Sequence, residues 1–402
     1  MLNRLTALRL YEAFSIQRWN DRIRPIDLCE MDKQAFKSVL TYIFGKIEEE
    51  KKGVSLDWEY MTYVSLFSLL KNIVLSDIKA PVIKKIKELH PTEFNELNKW
   101  VVDQYRNIIE DGELLDLFLN SIQNEDDRIE LRIVRAAHKY STLREFEIIK
   151  PANKSSPQIY IIERELLKDI GKYYDLEAVA RLFAKDDLYE AMCLVEQLRF
   201  QIRWSQTPRI PKTSVLGHSM MVACLMIFLS RELKACPKRI INNFYAGLFH
   251  DLPEAVTRDI ISPVKQATTS LPNIVKSIEK QVCQEELYPL FPECILKDLK
   301  YYSGEDLGVD EFTDRIIDNG NPRALRDNEN INDYNLDKFS PVDGKLLKLA
   351  DEFSAFLEAD QSIKHGICSR HLLDGMSAIR NKYLQMKNVS GINTTKLFMC
   401  ME

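Results

Sequence analysis

The stretch INNFYAGLFHDLPEAVTRDIISPVK (241–265) opens as an apolar helix and carries the adjacent pair His250-Asp251 near its end. Consecutive side chains on a continuous helix point about 100° apart, so two neighbours reach the same interior point only where the helix ends or kinks. Pro253 follows two residues later and is typical of such a break. We therefore predict that the helix over 237–251 stops here and directs both side chains inward.

Two other predicted helices place a polar side chain in apolar surroundings. SVLGHSMMVACLMIFLSREL (214–233) predicts a buried helix with His218 in its first turn. DGKLLKLADEFSAFLEA (343–359) is amphipathic, and Asp351 lies on or beside its apolar face.

These two helices and the His250-Asp251 pair together predict a metal site. Buried charges are costly unless they are partnered. Imidazole and carboxylate groups together suit a first-row divalent metal ion, and four protein ligands leave coordination positions open for water and a phosphate oxygen. We therefore predict one metal site formed by His218, His250, Asp251 and Asp351.

The ordered pattern RW…GHS…VA…HD-x-x-E-x-x-x-x-D-x-x-x-P-V-K…K-x-A-D, from about Leu198 to Asp360, resembles the HD-domain superfamily. Within it, the pattern is most similar to the bacterial 5′-deoxynucleotidase group. The resemblance implies an all-α, metal-dependent phosphohydrolase that removes phosphate from a (deoxy)nucleoside 5′-monophosphate. It implies a divalent cation as cofactor: Mn, Co, Fe, Ni, Zn or Mg.

The resemblance also implies roles for residues around the metal ligands. Arg203 would bind the substrate phosphate and Trp204 would lie against the sugar. Glu254 would be the general acid for the leaving oxygen, Asp259 would bind a sugar hydroxyl, and Lys265 is a candidate second cation. Glu254 follows His250 by four residues, so one helical turn would bring it beside the metal.

The first half of the chain contains segments similar to parts of the second half. IQRWNDRIRP (16–25) resembles QIRWSQTPRIP (201–211), LSDIKAPV (75–82) resembles TRDIISPV (257–264), and RAAHKYST (135–142) resembles KLADEFSA (348–355). The three matches occur in the same order at nearly constant separation, which predicts two copies of one helical unit.

Aligned in this way, the first copy lacks the metal ligands. His218 corresponds to Lys33, the His250-Asp251 pair to Ser68-Leu69, and Asp351 to His138. We predict a degenerate HD-like domain over 1–150, a linker over 151–160 and a catalytic HD domain over 161–402. The copies are expected to pack as an intrachain pseudo-dimer, and a further homodimer stays possible. Because Arg18-Trp19 survives in the degenerate copy, the Arg-Trp pair is also interpreted as partly structural.

The composition narrows the class of partner. The chain of 402 residues has a formal net charge of −5, with acidic and basic residues interspersed, which disfavours long nucleic acid and leaves a small nucleotide as partner. Only 13 Gly and 15 Pro favour helices over sheets. The eight Cys form no C-x-x-C pair, and the N-terminus lacks the apolar core of a signal peptide. We expect a cytoplasmic protein without a membrane span.

Two alternatives remain open at this stage. The same ligand set serves deoxynucleoside triphosphohydrolases and cyclic-nucleotide or dinucleotide phosphodiesterases. A nucleotide-binding regulatory protein without catalysis is also consistent with a degenerate first copy.

The stretch 303–340, rich in acids, Asn and Gly, is predicted to be an irregular excursion over the surface. A helix is predicted over 187–202.

Overall fold

The central element of the computed structural model is a buried helix that begins at a serine cap. The model describes residues 2–76, 78–123, 127–258 and 268–401. Ser214 precedes helix α11 (Val215–Glu232), and its hydroxyl oxygen accepts a hydrogen bond from the Gly217 amide at 2.9 Å. Such a cap satisfies an amide that the first turn leaves unpaired. All the residues from Val215 to Ser230 are buried.

The described part of the chain is mostly helical, which confirms the predicted all-α class. The helices before α11 are α1 (Arg4–Tyr11), α2 (Glu30–Lys52), α3 (Trp58–Leu75), α4 (Ala80–Leu89), α5 (Pro91–Asp103), α6 (Gly112–Gln123), α7 (Ile129–Ile149), α8 (Gln158–Gly171), α9 (Glu177–Ala184) and α10 (Asp187–Gln197). The helices after α11 are α12 (Pro237–Phe249), α13 (Glu254–Thr257), α14 (Leu271–Val282), α15 (Glu293–Ser303), α16 (Gly344–Lys364), α17 (Arg370–Met386) and α18 (Thr394–Met399).

Helix α11 packs against α2 from the first half and against α12 and α16 from the second. Two glycines allow α11 to lie close to α2 and to α12. A Cβ at Gly217 would lie 2.5 Å from Asp32 Oδ1 on α2, and one at Gly247 would lie 2.9 Å from the Ala223 backbone. Buried apolar residues from Leu2 to Met401 form one continuous cluster across both halves. The helices that carry the candidate ligands are therefore fixed in a single core.

Helix α11 is the one helix among the described residues long and apolar enough to cross a membrane, but 89% of it is buried inside the fold. Burial of this extent is typical of a core helix, whose apolar faces are covered by other helices. The arrangement is consistent with a soluble protein.

The predicted irregular excursion over 303–340 is partly wrong. It contains the antiparallel hairpin β1 (Arg315–Asp318) and β2 (Asn321–Ala324). The Arg315 side chain is fully buried and donates hydrogen bonds to the carbonyl oxygens of Tyr301 and Thr313 at 2.6 and 2.7 Å. These contacts tie the segment to the end of α15. A second short hairpin, β3 (Asn388–Val389) and β4 (Ile392–Asn393), was not predicted.

The helix predicted over 187–202 is too long. It ends at Gln197, and Ile202 instead pairs as an isolated antiparallel bridge with Ser214. The Arg203 amide donates to the Thr213 carbonyl at 3.0 Å. This extended pairing sets the direction in which Arg203 and Trp204 leave the backbone.

Candidate metal centre

Helix α12 ends immediately before the His250-Asp251 pair, as the prediction of a helix end requires. Phe249 is its last residue, His250 occupies the C-cap position, and Asp251 begins a turn that leads into α13 at Glu254. The turn allows both neighbours to face the same interior point, which a continuous helix would prevent.

The four predicted ligands converge. His218 Nε2 lies 3.0 Å from Asp351 Oδ1 and 3.9 Å from Asp251 Oδ2, and His250 Nε2 lies 3.2 Å from the same Asp251 oxygen. One ligand atom each from His218, His250 and Asp351 lies within 4.8 Å of the others. Ligands at about 2.1 Å from one ion would be roughly 3 Å apart at right angles, so the spacing suits a single metal ion.

Each histidine is held through the nitrogen that faces away from this centre. His250 Nδ1 lies 2.8 Å from the Gly247 carbonyl oxygen, to which it donates. His218 Nδ1 lies 3.1 Å from Ser354 Oγ on α16. Contacts of this kind fix the tautomer and orient the ring of a metal-binding histidine. In both residues they leave Nε2 directed at the carboxylates.

The donor set fits a divalent metal ion. His250 Nε2 and Asp251 Oδ2 are buried 3.2 Å apart, and neither forms a hydrogen bond of good geometry with a described residue. Buried polar groups normally have partners, and one ion in contact with both would supply them. Nitrogen and oxygen donors in this mixture are typical of first-row divalent cations.

The charges at the centre hold each other in the ionised form. Burial opposes protonation of His250, but the neighbouring Asp251 and Asp351 carboxylates outweigh it and raise its pKa to about 9. Burial likewise opposes ionisation of Asp251, but His250, His218 and Arg203 keep its pKa below the usual range.

Arg203 and Trp204 lie at the edge of the centre, and their predicted roles toward phosphate and sugar stay predictions. Arg203 Nη1 is 3.6 Å from Asp251 Oδ2, and the Trp204 indole Nε1 donates to Glu358 Oε2 at 2.7 Å. Trp204 has a φ of 56°, a left-handed conformation that side chains with a Cβ seldom adopt. A Cβ at Gly375 of α17 would lie 2.9 Å from Trp204 Cη2, so α17 passes directly over the indole ring.

Glu254 is the first residue of α13, one turn beyond the metal ligands. Its backbone carbonyl accepts from Gln201 Nε2 at 2.8 Å, and its carboxylate is close enough to contribute to the raised pKa of Arg203. Arg258 follows with a φ of 63°. Asp259 and Lys265 lie outside the described residues, so their predicted roles stay predictions.

Sequence reasoning missed the buried partners behind the ligands. Ser354 and Glu358 follow Asp351 by three and seven residues on α16, and both are fully buried. Because i+3 and i+7 share a helix face, their spacing from Asp351 was the available signal. Asp343 is the N-cap residue of α16 and also pairs with Arg239 of α12 at 2.6 and 2.7 Å.

A similar set of contacts occurs in the first half. Arg18 and Trp19 donate to Glu145 Oε2 at 2.9 and 3.1 Å, as Arg203 and Trp204 donate to Glu358. The φ of Trp19 is 57°, and Gln17 forms an isolated bridge with Cys29, which matches the bridge of Ile202 with Ser214. We call Arg18, Trp19 and Glu145 the first-half cluster, and Arg203, Trp204 and Glu358 the second-half cluster.

Comparison with known proteins relates the second half to one family. Residues 195–380 match the model of the HD domain. The 5′-deoxynucleotidase of Yersinia pestis (strain Pestoides F) is 27% identical over 136 residues, which cover 30% of this chain and 66% of that protein. The 5′-deoxynucleotidase of Yersinia pseudotuberculosis serotype O:3 (strain YPIII) matches with the same identity and coverage.

The chain thus spans just under two thirds of the length of these relatives. No solved structure matches the chain. The domain match contains every one of the four converging side chains. Residues 195–380, which include His218, His250, Asp251 and Asp351, are thus similar to the HD domain.

Proposed function

We propose that this HD domain is a metal-dependent phosphohydrolase that removes phosphate from a (deoxy)nucleoside 5′-monophosphate. The observation that supports it most strongly is the convergence of two histidines and two aspartates next to an arginine, in which neighbouring side chains approach to 3.0–3.9 Å. The similarity to 5′-deoxynucleotidases supports the substrate class.

His218, His250, Asp251 and Asp351 would hold the ion, which is one of Mn, Co, Fe, Ni, Zn or Mg. A bound divalent ion of this kind makes water a nucleophile near neutral pH and polarises the phosphoryl group. Arg203, 3.6 Å from Asp251, is placed to bind phosphate oxygens beside it. The planar guanidinium suits this task because it donates two parallel hydrogen bonds.

The other predicted residues would act on the nucleoside side of the phosphate. Trp204 would lie against the sugar, and Glu254 would donate the proton that the departing 5′-oxygen needs. Asp259 would bind a sugar hydroxyl and Lys265 would add a second cation near the phosphate. The last two assignments depend on the family resemblance alone.

A substrate panel tests the proposed activity. The full chain is loaded with each candidate metal, and inorganic phosphate release is measured with deoxynucleoside and ribonucleoside 5′-monophosphates, deoxynucleoside triphosphates and cyclic nucleotides. We expect release from monophosphates and a loss of at least about 10³-fold in Asp251→Asn, since a metal contributes several kcal/mol.

Three results of the panel would contradict the proposal. Turnover of triphosphates alone would favour a triphosphohydrolase. Opening of cyclic nucleotides alone would favour a phosphodiesterase. Nucleotide binding without turnover, unaffected by Asp251→Asn, would favour a regulatory protein.

We further infer that the chain consists of two copies of one unit, with boundaries near 1–150, 151–160 and 161–402. The matching contacts of the two clusters support this inference. Packing of α2 on α11, with Ser214 donating to Asp32 at 2.5 Å, supports an intrachain pseudo-dimer. A cytoplasmic location and the option of a further homodimer remain part of the proposal.

A further inference from the structure

Glu358 is a fully buried carboxylate on α16, two helical turns beyond Asp351. Residues seven apart share one face of a helix, so this face presents a metal ligand and, deeper in the core, a second acid. A buried carboxylate is retained only where charged or hydrogen-bonding partners compensate for its lost hydration. Its partners therefore indicate what it does.

Three side chains of the candidate centre meet at this carboxylate. Trp204 Nε1 donates to Oε2 at 2.7 Å, and Arg203 Nε lies 3.3 Å from Oε1 and 3.4 Å from Oε2. His218 Nδ1 is 3.3 Å from Oε1. One carboxylate thus touches the predicted phosphate ligand, the predicted sugar contact and a predicted metal ligand.

These contacts determine which atoms of Arg203 and His218 face the candidate metal centre. With its Nε directed at Glu358, Arg203 extends Nη1 to within 3.6 Å of Asp251 Oδ2. With Nδ1 facing Glu358 and Ser354, His218 directs Nε2 at Asp351, 3.0 Å away. The hydrogen bond of Nδ1 is made with Ser354 Oγ, and Glu358 adds a negative charge 3.3 Å from the same nitrogen.

We propose that Glu358 is the positioning residue of the metal centre, through which Arg203, Trp204 and His218 are held as one unit. The proposal rests on the metal site of the proposed function but not on its substrate. The first half supplies an internal comparison. Glu145 makes the same two contacts with Arg18 and Trp19, and the residue that the repeat aligns with His218 is a lysine.

The experiment compares Glu358→Gln with Glu145→Gln in the full chain. Each change keeps the side-chain volume and removes one buried carboxylate next to an Arg-Trp pair. Co²⁺ is titrated into the metal-free proteins, and its visible absorption reports both affinity and ligand geometry. Loss of such an outer partner typically weakens metal binding by about 10- to 100-fold.

We expect Glu358→Gln to weaken Co²⁺ binding by that factor and to change its absorption, whereas Glu145→Gln leaves both within about twofold. We expect thermal stability to fall in both, because both leave a partly buried arginine short of a partner. Equal Co²⁺ affinity in Glu358→Gln and the unmodified protein would overturn the proposal. An equal loss in Glu145→Gln would also overturn it, as would absence of Co²⁺ binding to the unmodified protein.

Glu358→Asp covers the case in which Glu358→Gln does not fold. It keeps the charge and withdraws the carboxylate by one methylene, so we expect an intermediate loss of affinity; an unchanged affinity would contradict the proposal. Failure of the proposed function is separable, because Co²⁺ binding is measured without turnover. A protein that shows the Glu358 effect and releases no phosphate from any nucleotide would retain this inference and lose only the proposed activity.

Discussion

The first-half cluster and the second-half cluster have similar internal contacts but different surroundings. In both, the indole N–H of tryptophan donates to a glutamate, at 3.1 Å for Trp19 and 2.7 Å for Trp204. Arg18 then extends Nη1 to Glu30 at 2.8 Å, whereas Arg203 extends Nη1 toward Asp251. The arginine of the first-half cluster thus forms an additional ion pair, whereas the arginine of the second-half cluster lies beside the candidate metal centre.

The position aligned with the candidate metal ligand His218 also differs between the two halves. Lys33, which the repeat aligns with His218, is fully buried and donates from Nζ to the His138 carbonyl oxygen at 3.2 Å and to Thr142 Oγ1 at 2.5 Å. In the first half, a lysine bonded to α7 thus stands where the second half has a candidate metal ligand. The Arg-Trp-Glu contacts therefore form with or without candidate metal ligands beside them, and the two halves differ in the residues around these contacts.

The largest expected difference between the halves concerns the aligned pair Asp351 and His138. Asp351→Asn should remove a metal ligand and lower phosphate release by at least about 10³-fold, since metal catalysis is worth several kcal/mol. His138→Asn should leave kcat/KM within about threefold, because it has no ligand role. Initial rates with a deoxynucleoside monophosphate measure both. Equal losses in the two variants would remove the functional distinction between the halves.

Arg203→Met and Arg18→Met sharpen the comparison at the arginines. Each removes the arginine that pairs with a buried glutamate, at a cost of about 3–5 kcal/mol in the free energy of unfolding. Only Arg203→Met should also lower kcat/KM, by about 10²–10³-fold, because one charge-stabilising donor contributes that much. Chemical denaturation and steady-state kinetics separate the two effects. Full activity in Arg203→Met would show that this residue is structural in both halves.

The smallest expected effect concerns Lys37, one turn after Lys33 on α2. Burial lowers its pKa to about 8, partly offset by Glu30. Folding therefore releases a proton between about pH 8 and the ordinary lysine pKa near 10.4, so stability should rise with pH in that window. Lys37→Met should raise the free energy of unfolding by about 1–3 kcal/mol below pH 8, with the gain fading above pH 10.

Denaturant unfolding at pH 7 and pH 10 measures this gain, with the exposed Lys99→Met as control. Lys99 carries no burial cost, so its replacement should change stability little at either pH. A loss of stability in Lys37→Met at pH 7 would mean that the first half depends on this lysine for its structure.

The sequence predicted those parts of the candidate metal centre whose geometry depends on local sequence pattern. The turn after Phe249, the first-turn position of His218 and the inward face of Asp351 follow from helix periodicity and a proline break. Glu358 was not predicted because a glutamate on an amphipathic helix is usually solvated. Its partners Arg203 and Trp204 lie more than 150 residues earlier in the chain.

The segment 303–340 shows the same limit in the fold. Its content of acids, Asn and Gly is typical of a solvated loop. Arg315 is nevertheless buried and donates to a carbonyl oxygen at the end of α15. A favourable site for a cation at a helix C-terminus depends on tertiary contact and not on local composition. The predicted domain boundaries stay a prediction, because one apolar core runs through both halves.

Metal analysis of the purified full chain, with His218→Ala and Lys33→Met as paired variants, tests whether the second half binds a divalent metal ion through the four candidate ligands. We predict one divalent ion per chain in the unmodified protein, loss of that ion in His218→Ala, and its retention in Lys33→Met. An unmodified protein that binds no divalent ion after incubation with Mn, Co, Fe, Ni, Zn and Mg would contradict the claim. Equal metal content in His218→Ala and the unmodified protein would contradict it as well.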